Sequence, residues 1–75
     1  METLESLKMG TRAKISNIYG NIHFQSRIVS VGLIPGSYVE IVLNQKRRPL
    51  LLYCRNTVLA IDREDCKQIQ VEVMR

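Results

Sequence analysis

Between residues 11 and 18 the chain alternates: Arg12, Lys14 and Ser16 face one way and Ala13 and Ile15 the other, the period-two pattern of a half-buried strand. Tyr19-Gly20-Asn21 interrupts it with turn residues. The period then changes. Phe24, Ile28 and Val31 fall at i, i+4 and i+7, which predicts a short helix from His23 to Val31 with one apolar face. Asn21 is its candidate N-cap, because a side-chain oxygen there accepts from an unpaired first-turn N–H. Gly32-Leu33 is a stop signal, and Pro35 prevents continuation. After the Pro35-Gly36 turn, Val39, Ile41 and Leu43 alternate with Tyr38, Glu40 and Val42, a strand. Asn44 to Arg48 is a polar tip, Leu50 to Arg55 the return strand, and Thr57 to Ile61 a third strand after an Arg55-Asn56 turn. Asp62 is placed to cap a turn over Arg63-Glu64-Asp65, with Asp65 at the capping-box position. Ile69, Val71 and Val73 alternate with Gln70, Glu72 and Met74 in a last strand. Near the start, Leu4 and Leu7 lie one helical turn apart, which predicts a short helical turn ending at Met9-Gly10.

The sum is about five short strands with one helix between the first and second. So many strands in 75 residues require a curled or closed sheet, since closure hides edges that invite aggregation. The predicted fold is therefore mainly β: a small SH3-like barrel with a helical insertion, ranked above an open α+β sandwich. No repeat, linker or low-complexity tract divides the chain, so residues 1–75 form one domain.

Composition narrows the function. Hydrophobic residues make up 45% and charged ones 24%, as in ordinary globular proteins. Eleven basic against seven acidic side chains leave a net charge of +4, and the one tight cluster is Lys46-Arg47-Arg48. Pro49 follows it at once, which makes it a loop tip rather than a basic helix. The longest apolar run, Leu50 to Cys54, is far shorter than the ~18 residues of a membrane span. The acidic start Met1-Glu2-Thr3-Leu4-Glu5 lacks the features of a secretory signal, so a cytoplasmic setting with Cys54 and Cys66 as free thiols is expected.

Catalytic signatures are missing: there is one histidine, His23, no glycine-rich phosphate loop and no nucleophile elbow. Asp62, Glu64 and Asp65 read as a solvated turn, so an enzyme is not expected. His23, Cys54 and Cys66 are the only soft ligands, and none has metal-site spacing. No metal site and no cofactor are expected. Nucleic-acid binding would need aromatic platforms beside positive charge, and Tyr38 and Tyr53 are expected on neighbouring strands near the basic tip. Tyrosines on strands more often serve packing.

Arg27-Ile28-Val29-Ser30-Val31-Gly32-Leu33-Ile34-Pro35-Gly36-Ser37-Tyr38-Val39-Glu40-Ile41 resembles the FeoA family of ferrous iron transport accessory proteins: an arginine-led apolar helix, a GL-x-PG turn and an alternating strand. Leu4-Glu5-Ser6-Leu7-Lys8-Met9-Gly10, Val58-Leu59-Ala60-Ile61 and Cys66-Lys67-Gln68-Ile69-Gln70-Val71 are similar to further family elements, in the same order. The resemblance implies an SH3-like barrel and a cytosolic protein acting with a membrane ferrous iron transporter, FeoB, through contacts rather than chemistry on iron. Similar barrels form the C-terminal domains of DtxR-type repressors, where they mediate protein contacts. This chain departs from the pattern in three places. Asn44-Gln45-Lys46-Arg47-Arg48-Pro49 replaces a PxGDP-like loop, Asp62 then Arg63 stand where a basic residue is common, and Ile28-Val29 replace leucines.

The expected function is a non-enzymatic accessory protein that binds the cytosolic part of FeoB and modulates it. The candidate contacts are Lys46, Arg47, Arg48, Tyr38 and Tyr53, with Arg27, Leu33 and Ile34 as a second site. The alternative is a small-barrel nucleic-acid binder or a metal-responsive regulatory module using His23 or Cys66. Self-association through an edge strand is also expected to be open to it.

Overall fold

The computed structural model describes residues 2–74. Its elements are β1 (Glu2–Thr3), a 3-10 turn (Leu4–Ser6), β2 (Arg12–Ile18), α1 (Ile22–Ser30), β3 (Tyr38–Leu43), β4 (Leu50–Cys54), β5 (Thr57–Ile61), α2 (Arg63–Cys66) and β6 (Ile69–Val73). All paired strands are antiparallel, in the order β1-β6-β2-β3-β4-β5. An uncovered flat sheet would be thin in one direction, whereas this molecule measures 29 × 26 × 26 Å. The sheet curls around a core in which Leu4, Ile15, Leu33, Ile41, Leu50, Leu52, Cys66 and Ile69 are fully buried.

The described residues form six strands rather than about five. The extra strand is only Glu2–Thr3, paired with Val71 and Gln70, too short for alternation to reveal. The helical turn expected to run to Met9-Gly10 stops at Ser6, because Leu7 is already extended at φ −85° and ψ 146°. Leu4 and Leu7 are nonetheless both buried, so their spacing reflects a 3-10 turn.

Helix α1 follows its sequence signals closely. Asn21 Oδ1 accepts from the Phe24 N–H at 2.8 Å, and Phe24 and Ile28 face the core. Val31, expected on the same face, is instead the C-cap residue and is 42% exposed. Its inward place goes to Leu33. Gly32 takes φ +99°, its N–H donates to Val29 O at 2.9 Å, and the Leu33 N–H donates to Ile28 O at 3.2 Å. These two reversed bonds form a Schellman motif, which folds Leu33 back onto the helix end and buries it.

A bulge near Ser16 resets β2. Ile15 pairs with Val71 and Asn17 with Gln70, so Ser16 is the extra residue. Expected to face solvent, Ser16 is half-buried and donates to Gln70 O at 3.1 Å. The parity change turns Ile18 towards the core. Gln70, also expected outside, is buried because the end of β2 and Tyr19 cover it. Its Oε1 accepts from Asn17 Nδ2 and from the Tyr19 hydroxyl, each at 3.0 Å.

The sheet has two edge strands, β1 and β5, and the residues just after each come together. Arg63, which follows β5, pairs with Glu5, which follows β1, at 3.7 Å. This contact joins the two sides of the barrel.

Candidate interaction surface

Tyr38 opens β3 and Tyr53 lies near the end of β4. Register sets them on adjacent strands: Glu40 pairs with Tyr53 and Arg12 with Glu40, while Tyr38 pairs with Lys14. The two tyrosines, 59% and 43% exposed, line a shallow groove of about 300 Å³ with Arg12, Glu40, Arg55 and Met74. Arg12 Nε and Glu40 Oε1 are 3.3 Å apart, an exposed pair worth at most ~1 kcal/mol. The Tyr53 hydroxyl donates to Asn56 Oδ1 at 2.8 Å, which fixes that ring against the β4–β5 turn. With Arg12 and Glu40 paired on its rim, the groove offers mainly rings and a thioether beside the Arg55 guanidinium, the composition of a protein-contact patch.

The expectation that these tyrosines sit near the basic tip is corrected by the hairpin itself. Lys46, Arg47 and Arg48 are exposed in the connection joining the other ends of β3 and β4. At ~3.3 Å per residue, a strand of this length separates tip and tyrosines by roughly 17 Å. An aromatic platform flanked by the tip, as nucleic-acid binding would require, is therefore not formed.

Arg63 holds the tip in place. Its Nη2 donates to Asn44 Oδ1 at 2.7 Å, to Arg48 O at 3.3 Å and to Gln45 O, in addition to the Glu5 pair. Asn44 Nδ2 in turn donates to Leu7 O at 2.5 Å and to Glu5 O at 3.2 Å. One guanidinium fork thus satisfies carbonyls that a polar loop would otherwise leave to water. Sequence reasoning placed Arg63 on a solvated turn and missed this role. The available signal was its place one residue beyond the basic position common in the resembled family.

Arg27 belongs to a third patch. Its Nη2 lies 2.8 Å from Asp65 Oδ2, and its guanidinium carbon lies 5.5 Å from the Phe24 ring centroid. Asp65 is thereby engaged with α1 and not in a capping box, and Asp62 makes no side-chain capping bond as N-cap of α2. Leu33, expected beside Arg27 as a contact, is fully buried by the Schellman turn, and Ile34 is half-buried.

Cys54 and Cys66 are free and buried. Burial, aided by the nearby Asp65 carboxylate, pushes the Cys66 thiol up to about 12, which keeps it protonated and a poor ligand at neutral pH. His23 is exposed on the first turn of α1. Among the described residues no group of three or more His, Cys, Asp or Glu side chains is placed to hold a metal ion. No helix among them is long and apolar enough to cross a membrane.

The FeoA domain family matches residues 2–73, all but the two ends of the chain. The chain belongs to the FeoA family. No curated protein gives a significant sequence match. Among solved structures, an iron uptake regulatory protein (FeoA) is 20% identical with a TM-score of 0.93, covering 97% of each chain. FeoA of Stenotrophomonas maltophilia, described as a prokaryotic SH3 domain protein and complexed with zinc, is 23% identical with a TM-score of 0.78. That match covers 96% of this chain and 91% of the other. IdeR of T. acidophilum is 23% identical with a TM-score of 0.85 and covers 97% of this chain but 34% of its own. At these identities the structural matches speak for the fold, and the predicted SH3-like barrel is the fold observed. FeoA domains are small accessory domains associated with ferrous iron transport and are not a known enzyme family.

Proposed function

We propose that this FeoA domain is a non-enzymatic, cytosolic accessory protein that binds the cytosolic part of a FeoB-type ferrous iron transporter and modulates its activity. The observation that carries the reading is the open apolar groove of Tyr38, Tyr53 and Met74 on the outer sheet face of a FeoA chain. Exposed aromatic side chains with paired neighbours lose little on desolvation, and such residues dominate protein interfaces. The candidate contacts divide by role. Tyr38 and Tyr53 form the anchor. Lys46, Arg47 and Arg48, about one strand length away, supply long-range attraction to an acidic partner surface, which acts mainly on association rate. Arg27, already held by Asp65, is the lesser contact.

Titration of the chain against a detergent-solubilised FeoB-type transporter tests this reading. Tyr53→Ala is expected to weaken binding at least tenfold, about 1.4 kcal/mol. Alanines at Lys46, Arg47 and Arg48 are expected to slow association and flatten its salt dependence with a smaller change in dissociation rate. Absence of binding, or binding indifferent to both sets of variants, overturns the proposal.

A further inference from the structure

Strand β5 is paired by β4 alone, and among the described residues no strand covers its other side. The turn before it settles which backbone groups are left over. Arg55 and Asn56 have φ of 53° and 64°, a two-residue primed turn, so the flanking Cys54 and Thr57 form a hydrogen-bonded pair. Alternation along the ladder then directs Thr57, Leu59 and Ile61 at β4, and the N–H and C=O of Val58 and Ala60 at the free edge. The β4–β5 ladder runs without a register shift from Cys54↔Thr57 to Leu50↔Ile61. Thr57–Ile61 contains no charge and no proline. The usual edge protections of charge, proline and bulge are all missing from a strand whose Val58 is 54% exposed.

The free groups are symmetric about Leu59, and a basic and an acidic side chain, Arg55 and Asp62, stand just beyond the two ends of the strand. We propose that β5 pairs antiparallel with β5 of a second copy of this chain, about a two-fold axis at Leu59, with Arg55 of each copy beside Asp62 of the other. In this register Val58 faces Ala60 of the second copy twice over, and the four outward N–H and C=O pairs are satisfied by four hydrogen bonds. Thr57 faces Ile61, and one step further Asn56 faces Asp62. Arg55 is exposed on its turn, and Asp62 is an exposed N-cap whose carboxylate makes no capping bond. Within one chain these two charges lie beyond opposite ends of β5, roughly 23 Å apart along an extended strand, too far to pair. The two-fold arrangement brings them together twice.

Space exists for the second copy. A groove of about 280 Å³ between α1 and β5, lined by Arg27, Ile28, Val31, Ala60, Ile61 and Asp62, receives the turn of the other hairpin and covers the exposed Val31. One short strand pair buries less than the ~1,200 Å² of standard interfaces, so the dimer is reversible and concentration-dependent.

Sedimentation velocity of the intact chain, from micromolar to near-millimolar concentration, is expected to show monomer converting to dimer. Ala60→Pro removes an outward N–H without touching the β4 ladder, and is expected to abolish the dimer while leaving thermal unfolding of the monomer unchanged. Should that variant fail to fold, Val58→Lys places a charge on the same edge and decides the matter in its stead. Arg55→Asp or Asp62→Arg alone is expected to weaken dimerisation about three- to tenfold, and the two together to restore it. A monomer at every concentration, a dimer indifferent to the edge variant, or a double swap without restoration overturns the proposal.

Discussion

At its tip the β3–β4 hairpin is tied down. Arg63 reaches from α2 to Asn44, Gln45 and Arg48, and Asn44 reaches onward to the carbonyls of Glu5 and Leu7. At the other end of the same two strands, Tyr38 and Tyr53 stand half-exposed over an apolar groove rimmed by the Arg12–Glu40 pair and by Arg55. The tip is the more polar in sequence, yet its polar groups are largely used inside the molecule. The tyrosine end holds fewer polar groups and leaves more apolar surface in water. Charge at the tip therefore mixes structure with surface, because Lys46, Arg47 and Arg48 ring a loop that a different arginine holds. Apolar exposure at the tyrosine end is left for something outside the chain.

The sharpest way to break this comparison is to remove the clamp. Arg63→Ala deletes several charge-assisted bonds at a partly buried site and is expected to cost about 2–3 kcal/mol. At ~4–8 °C per kcal/mol for a domain of this size, thermal unfolding should drop by more than ~8 °C. A loss below ~0.5 kcal/mol would mean that the tip holds itself. Arg63→Lys, which lacks the fork, should recover only part of the loss.

A second experiment asks how well the clamped end excludes water. Cys66 on α2 has its thiol raised from 9.0 to about 12, chiefly by burial. The folded state then holds its proton where the unfolded state releases it. Its contribution to stability is full below pH 9.0 and is lost progressively as pH rises from there towards about 12. The difference in melting temperature between the parent chain and Cys66→Ala should therefore narrow above pH 9. A constant difference would show that water reaches the thiol. The smallest expected effect belongs to the exposed tip: alanines at Lys46, Arg47 and Arg48 should shift stability by no more than ~0.5 kcal/mol, measured by chemical unfolding. A larger loss would erase the distinction between holding arginine and held loop.

Much of the architecture was legible in the residue pattern. Asn21, Gly32 and Leu33 announced both ends of α1, because caps and Schellman turns depend on a few adjacent residues. The alternation of β3 and β6 and the PG turn likewise announced strands and a reversal. The positions misread were those where neighbours in space overrule the local period. Ser16 and Gln70 came inside through a bulge that no single strand displays. Glu2–Thr3 became a strand only because β6 offered an edge to it. The contact candidates suffered in the same way, since adjacency of Tyr38 and Tyr53 follows from strand pairing, whereas their distance from the tip follows from which ends of the strands they occupy.

By itself, then, the order of residues determined the elements, the turn chemistry, the barrel class and the inward faces, all of which rest on short-range backbone preference and hydrophobic period. Only the tertiary structure decided that Arg63 bridges both sides of the barrel, that Asp65 serves Arg27 rather than its own helix, and that β5 is left as an open edge. Those outcomes depend on distances between residues far apart along the chain, which no local pattern encodes.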